Sequence, residues 1–164
     1  MSAHDMSPLD WALRPIKKYA VFHGRAPRAE YWWYYLATVV VGIPVRLLDK
    51  GFGTHQTLST ILDLALLLPW LGVTIRRLHD IDRSGWWLLG LVGAIGVAAF
   101  VVLGTGVDSP GSRALPFTAM IIAILVLLAV VVTFLIFMVL PGTDGSNRYG
   151  PDPYGPDELE EVFA

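Results

Sequence analysis

Ionisable residues are concentrated in one short stretch, residues 76–87, which separates two long apolar runs. The stretch has the sequence RRLHDIDRSGWW and contains three arginines, two aspartates and one histidine. Arginine binds carboxylates and phosphates through a fork of N–H donors, and a histidine beside aspartates can transfer protons or coordinate a metal. The stretch could therefore serve ion pairing, anion binding, metal binding or acid–base chemistry.

Metal coordination and catalysis are the less favoured of these uses. His79, Asp80 and Asp82 offer nitrogen and oxygen ligands, but their spacing matches neither the H-E-x-x-H motif nor an EF-hand loop. Ser84 lacks a G-x-S-x-G context and is better placed to cap the following helix. Residues 142–147 (GTDGSN) are glycine-rich but lack the lysine of a P-loop. We therefore assign no catalytic residue, metal ligand or cofactor, and a non-enzyme is favoured over an enzyme.

Two further polar segments, residues 24–30 and 142–150, also lie directly beside apolar runs. Together with residues 76–85 they contain six arginines and four acidic residues. Arginines close to a membrane need partners. The favoured interpretation is a network of ion pairs that joins the helix ends, and the alternative is binding of anionic lipid headgroups. The candidate cluster consists of Arg25, Arg28, Glu30, Arg76, Arg77, His79, Asp80, Asp82, Arg83, Asp144, Asn147 and Arg148.

The composition is typical of a membrane protein. Of 164 residues, 54% are hydrophobic and only 16% are charged, which is too apolar for an ordinary soluble domain. The formal net charge of −2 indicates no nucleic-acid partner. Because the chain has no cysteine, disulfides, thiolate catalysis and cysteine-ligated metals are excluded.

Four apolar runs, at residues 31–48, 58–75, 86–103 and 116–140, are long enough to cross a bilayer. A run of about 18 residues spans roughly 27 Å as a helix, close to the thickness of the hydrocarbon layer. Arg46, near the far end of the first run, is expected to extend outward to water. We predict an all-α membrane protein whose residues 22–153 form a domain of four transmembrane helices.

An amphipathic helix is predicted ahead of the first span, within residues 1–21. Residues 7–10 (SPLD) are typical of a helix start, and the helix is too short and too charged to span a membrane. Two interpretations remain open: the helix lies in the membrane interface with its basic residues toward lipid phosphates, or it packs on the protein itself. Residues 154–164 are predicted to be an acidic, flexible tail.

Two features inside the predicted spans have both a functional and a structural interpretation. Asp63 could serve an ion or proton pathway, but it lies near the outer end of its span, so pairing with a neighbouring helix or with water is favoured. Gly90, Ala94 and Ala98 recur every four residues and allow another helix to approach closely. Packing within the chain is the favoured use of this face, and homo-oligomerisation is the alternative.

The distribution of basic residues predicts the orientation. With four spans, both termini lie on the same side as residues 76–85, and that side carries nine of the twelve Lys and Arg residues. The other side carries three: Arg46, Lys50 and Arg113. The positive-inside rule therefore predicts cytoplasmic termini. Residues 24–30, 76–85 and 142–150 would then form one cytoplasmic surface, here named the polar cap.

The same segments resemble a known family. Residues 22–32 (FHGRAPRAEYW), 76–87 (RRLHDIDRSGWW) and 142–150 (GTDGSNRYG), in this order, resemble the domain-of-unknown-function 805 family of small bacterial inner-membrane proteins. The resemblance covers roughly residues 19–153. It implies several membrane helices and a multi-pass location in the bacterial inner membrane. It implies no activity, so it assigns no catalytic residue.

Three functions are compatible with these features. The favoured one is a non-enzymatic membrane module that binds anionic lipid headgroups or a protein partner through the polar cap. The alternatives are a small transporter or channel subunit that uses Asp63, and a membrane enzyme that acts at the Arg/His/Asp cluster. A filled, fully paired cap would favour the membrane module. A polar path from Asp63 to the cap would favour the transporter or channel subunit, and a cleft with unpaired His79 and Asp80 would favour the enzyme.

The orientation can be tested by cysteine labelling in intact cells. Single cysteines replace Ser2, Thr54, Ser84 or Ser112, and the absence of native cysteine keeps the background low. An impermeant thiol reagent should label the variants at positions 54 and 112 only, because these loops are predicted to lie outside. Labelling at position 84 would contradict the orientation.

Overall fold

The computed structural model of the protein describes residues 6–105 and 114–155. Its five helices are α1 (Pro8–Lys17), α2 (Arg28–Phe52), α3 (Thr57–Asp80), α4 (Trp86–Thr105) and α5 (Ala114–Val139). Among the described residues the only extended pairing is an isolated bridge between Asn147 and Gly150. The predicted all-α class is therefore confirmed. Most of the predicted acidic tail, residues 156–164, lies outside the described residues.

Three of the helices contain segments long and apolar enough to cross a membrane: α2, α3 and Met120–Val139 of α5. The segment Trp86–Phe100 of α4 is apolar but shorter. Large apolar side chains on these helices are exposed, for example Ile61 at 61% and Leu64 at 63%. Such a surface is unfavourable in water and suits contact with lipid chains. The described part of the chain thus has three helices that are long and apolar enough to span a membrane, and the number of four spans stays a prediction.

The helices belong to two compact units. The first comprises Met1–Arg83 and Pro141–Ala164, and within it α1 packs on α2 and α3, which also pack on each other. The second comprises Ser84–Leu140, where α4 packs on α5. In this second unit Trp87 meets Phe137 edge to face, with ring centroids 5.4 Å apart.

The small-residue face of α4 is only partly used in this pairing. A Cβ added at Gly90 or Gly93 would meet no described atom of α5 within 4 Å, whereas Ala98 lines an apolar cavity of about 430 Å³ between the two helices. The pairing of α4 with α5 therefore does not depend on those two glycines, and both interpretations of this face stay open.

The boundary of α3 differs from the predicted one. The span was predicted at residues 58–75, but the helix continues to Asp80, so the first part of the predicted polar hairpin is helical. Arg77 and His79 lie in the last turn, where positive charge interacts favourably with the helix dipole. Burial and ion pairing of these side chains, described below, explain why a charged sequence remains helical here.

Helix α1 begins with a capping box. Ser7 Oγ accepts a hydrogen bond from Asp10 N at 3.2 Å, and Asp10 Oδ2 accepts one from Ser7 N at 3.2 Å. The Ser7 hydroxyl, which also donates to this carboxylate, lowers the pKa of Asp10. One face of α1 is buried and a second apolar face is exposed. The buried residues are Trp11, Ala12 and Pro15, and the exposed ones are Leu9, Leu13 and Ile16.

The turn between α2 and α3 is organised by Asp49. This residue is 3% exposed, and its carboxylate accepts hydrogen bonds from Leu58 N at 3.0 Å and Ser59 N at 2.8 Å. Thr54 Oγ1 donates to the same carboxylate. Gln56, at the N-cap position of α3, makes no capping bond with its own side chain. The last turn of α2 thus supplies the acceptor that the first turn of α3 requires.

Replacing this acceptor should destabilise the hairpin. Asp49→Ala leaves the backbone N–H groups of Leu58 and Ser59 without their partner, and we expect a loss of about 1–3 kcal/mol in the free energy of unfolding. Denaturant titration of the purified protein in detergent measures it. Asp144→Ala is the control, because Asp144 is exposed; equal effects of the two substitutions would contradict the capping role.

Candidate functional site

Asp80, the last residue of α3, joins three segments of the polar cap. It is 4% exposed. Its Oδ1 accepts a hydrogen bond from Arg25 Nε at 3.0 Å, and its Oδ2 accepts one from Arg77 Nη1 at 2.5 Å. Its backbone carbonyl accepts from Thr143 N at 2.9 Å and from Thr143 Oγ1 at 3.2 Å. Asp80 therefore holds the loop before α2, the end of α3 and the segment after α5 together.

Arg25 completes this arrangement from the loop before α2. Its Nη1 and Nη2 donate to the carbonyl oxygens of Gly145 and Thr143, so all three guanidinium nitrogens are used. Gly142 permits the close approach, because a Cβ at this position would overlap the Asp80 carboxylate. The 142–145 segment is thus packed directly on the buried ion pairs.

A second buried cluster lies between α1, α2 and α3. Arg76 Nη2 lies 2.8 Å from Glu30 Oε1, and both side chains are almost fully buried. The contact is an ion pair by distance, but its angles are not those of a well-aligned hydrogen bond. Arg14 Nε of α1 lies 3.6 Å from Glu30 Oε2. Nearby, partial burial lowers the pKa of Lys18, and the positive charge of Arg14 lowers it further. This cluster ties α1 to the two longer helices.

His79 is also held at the end of α3. Its Nδ1 lies 3.2 Å from the carbonyl oxygen of Gly24, and its ring stacks on Tyr149 with centroids 3.8 Å apart and 2° between the planes. Because a carbonyl can only accept, Nδ1 carries the proton in this contact. Asn147 Nδ2 donates to the His79 carbonyl at 2.9 Å. The imidazole is therefore already engaged by its surroundings.

The remaining charged residues lie at the rim of the polar cap. Arg148 Nε lies 3.0 Å from Asp82 Oδ1, and the two side chains are 60% and 48% exposed. An exposed pair of this kind contributes about 0–1 kcal/mol. Arg28, Arg83 and Asp144 are exposed as well.

A cavity of about 220 Å³ opens beside the buried pairs. It is lined by Arg25, Arg28, Asp80, Asp144, Asp152 and Tyr154, among others. Burial raises the pKa of Tyr154, and the negative charge of Asp80 raises it further. The cavity is small and has charges of both signs, so it is not a preformed pocket for one strong anion.

The structure brings together most of the candidate cluster but splits it into parts. Asp80, Arg25 and Arg77 form one buried centre, Glu30 and Arg76 form another, and the other candidates flank the first centre or lie at the rim. Sequence reasoning missed residues that act through backbone groups, through ring stacking or from outside the polar cap. These are Arg14, Gly142, Thr143, Gly145, Tyr149 and Asp152.

Two of these omissions could have been found from the sequence. Asp152 lies in a Pro- and Gly-rich segment, and its carboxylate accepts from the backbone N–H groups of Gly145 and Tyr154 at 3.1 and 2.9 Å. Aspartate in such a segment commonly bonds to nearby backbone. Arg14 lies one helical turn before Lys18, on the charged side of α1.

Among the described residues, no group of three or more His, Asp or Glu residues could hold a metal ion.

Asp63 lies away from the polar cap and pairs with Arg46. Both carboxylate oxygens lie within 3.3 Å of Arg46 Nη2, and both side chains are more than half exposed. The prediction that Arg46 extends outward is wrong. Its guanidinium lies back over Gly42, one turn earlier in α2, where an added Cβ would clash with it. Attraction to Asp63 accounts for this direction.

Comparison with known proteins gives a consistent result. A family model described as "Protein of unknown function (DUF805)" matches residues 19–151, a range that includes the whole polar cap. The inner membrane proteins YhaH and YhaI of Escherichia coli (strain K12) are 35% identical over 150 residues and 36% identical over 146 residues. Each match covers 88% of this chain, and the matched regions make up 97% of YhaH and 96% of YhaI. No solved structure matches.

The role of Asp80 can be tested by a double-mutant cycle. Asp80→Asn leaves two buried arginines poorly compensated, so we expect the free energy of unfolding to fall by roughly 3–5 kcal/mol. Arg77→Ala should also destabilise, and the double variant should lose less than the sum of the two. The measurement is the unfolding of the purified protein in detergent.

Asp82→Asn is the matched control, because it changes an exposed pair and should cost no more than about 1 kcal/mol. An unfolding temperature for Asp80→Asn equal to that of the wild type would reject the structural role of Asp80.

Proposed function

The chain belongs to the DUF805 family of membrane proteins of unknown function, and on this premise we propose that it is a non-enzymatic module of the bacterial inner membrane that binds anionic lipid headgroups. In this proposal the polar cap and α1 lie at the cytoplasmic surface, and four helices cross the membrane with both termini inside. The buried ion pairs hold the helix ends in position, and the basic residues around them meet the lipid.

The observation that carries the proposal is that the groups best suited to catalysis already have partners. Asp80 is bonded by two arginines, and His79 is bonded through Nδ1 and stacked on Tyr149. A general acid or base must reach its substrate, and a nucleophile needs a base beside it. Because these groups are buried and paired, the cluster is better suited to holding the helix ends together than to acting as the active site of an enzyme.

The surface of α1 supports contact with a membrane. At about 100° per residue, the exposed residues Leu9, Leu13 and Ile16 form one narrow stripe along the helix. Lys17 lies on the neighbouring face, and Arg14, which contacts Glu30, lies farther round the helix. This is the arrangement of a helix that inserts apolar side chains among lipid chains and holds basic side chains at phosphate level. The third face of α1 is buried in the protein, which supports packing on the protein for that face, and in this proposal the exposed stripe meets the lipid.

The transporter alternative has weaker support. Asp63, which would be its ion-binding carboxylate, is compensated by Arg46. A cation could bind to this carboxylate only in competition with Arg46, whose Nη2 lies 3.2 Å from Asp63 Oδ2.

The lipid proposal predicts a preference for anionic lipid. Protein purified in mixed micelles of phosphatidylglycerol and phosphatidylcholine should retain more of the first, as measured by native mass spectrometry. Each basic residue near an anionic surface contributes about 1 kcal/mol, so Lys17→Gln should lower the ratio of the two lipids about fivefold.

The control is retention of phosphatidylcholine alone, which Lys17→Gln should leave at the wild-type level, because this lipid carries no net charge. Equal retention of the two lipids by the wild type would contradict the proposal. Retention of a second copy of the chain in place of lipid would point to homo-oligomerisation instead.

A further inference from the structure

Two adjoining cavities lie along the α2–α3 hairpin, the first of them at the end opposite the polar cap. The first has a volume of about 490 Å³, and its lining includes the polar or charged residues Arg46, Lys50, His55, Gln56 and Asp63. The second has a volume of about 280 Å³ and is lined by Val39, Leu66, Leu67 and Trp70, among others. Arg46 and Asp63 line both cavities, so their ion pair lies where the two cavities meet.

The charges in the first cavity differ in how much of their bonding capacity is used. Asp49, which also lines it, is occupied by the N–H groups of α3 and a threonine hydroxyl. Arg46 contacts Asp63 through Nη2 only, and in the described part of the chain Lys50 forms no ion pair. Lys50 follows Arg46 by four residues, so the two cations lie on one side of α2. The cavity thus presents two cations that can bind an anion, next to one carboxylate.

Away from the Arg46–Asp63 ion pair, the second cavity has apolar side chains that can contact a hydrocarbon chain. Its aliphatic residues come from both helices, and the Tyr34 hydroxyl, at its edge, already donates to the Leu66 carbonyl at 3.0 Å. A phenol whose hydroxyl has a partner exposes mainly its apolar ring. The cavity lies alongside helix segments whose apolar side chains are exposed, so a chain could enter it from the lipid.

We propose that the two cavities bind one phospholipid whose headgroup carries both a phosphate and an amine. The phosphate is held by Lys50 and Arg46, the ammonium group contacts Asp63, and an acyl chain fills the second cavity. A zwitterionic headgroup matches the site because opposite charges stand side by side, with Arg46 Nη2 3.2 Å from Asp63 Oδ2. The ion pair is largely exposed, so it can exchange part of its contact for the headgroup. This site is independent of lipid binding at the polar cap.

The test uses the delipidated full-length protein in detergent and three probes: phosphatidylethanolamine, diacylglycerol with the same chains, and inorganic phosphate. Native mass spectrometry should show one retained phosphatidylethanolamine and little diacylglycerol. Lys50→Gln removes one charge-assisted hydrogen bond, so it should weaken retention about tenfold. Lys17→Gln, a lysine of α1, should retain this lipid as the wild type does.

Two further variants separate the parts of the site. Asp63→Asn should lower retention of phosphatidylethanolamine more than that of phosphatidylglycerol, which lacks the amine. Val39→Trp should fill the second cavity and abolish retention while the unfolding temperature in lipid-free detergent stays unchanged. Lys50 is exposed and outside the ion pair, so its substitution tests the site even if Asp63→Asn fails to fold.

Three results would overturn the proposal: retention by Lys50→Gln equal to wild type, equal retention of diacylglycerol, or displacement of the lipid by inorganic phosphate, which would identify a free-anion site. Lipid binding at the polar cap is judged by the loss of phosphatidylglycerol retention in Lys17→Gln, and binding at the two cavities by the loss of phosphatidylethanolamine retention in Lys50→Gln, so either proposal can fail alone.

Discussion

The pairing of the buried Asp80 carboxylate with Arg25 and Arg77 is the interaction on which the polar cap depends. Burying a charge is costly unless it is paired and hydrogen-bonded, and here one carboxylate compensates two guanidinium groups from different segments. Since these segments are far apart in the chain, the pairing fixes the loop before α2 against the end of α3. The Asp80 carbonyl adds the segment after α5 through Thr143.

This pairing also explains the local structure around it. An arginine–arginine sequence at a helix end would repel itself in isolation, but Arg76 and Arg77 are directed to different acids, Glu30 and Asp80. The helix therefore extends to Asp80 instead of ending where the charges begin. Gly142 is required on the other side, since any side chain there would occupy the space of the Asp80 carboxylate. The same buried charges thus account for the length of α3 and for the need for glycine at position 142.

The opposite end of the α2–α3 hairpin uses charge differently. There Asp49 is buried and satisfied by backbone N–H groups, whereas Arg46 and Asp63 are exposed to the surroundings. In the polar cap the buried charged groups contact one another. At the far end, two cations and a carboxylate line an open cavity. This contrast supports binding of a ligand at the far end and a mainly structural use of the buried charges of the cap.

The sequence by itself determined the all-α class, the approximate positions of the helices and the clustering of charge at three segments, because these follow from apolar run length and local residue type. Only the tertiary structure decided which acid each arginine meets, since pairs such as Arg25 with Asp80 join residues 55 positions apart. It also decided that Asp49 caps α3 and that Arg46 turns back toward Asp63. A side chain's direction depends on what the neighbouring helix presents to it, and no pattern within one segment contains that information.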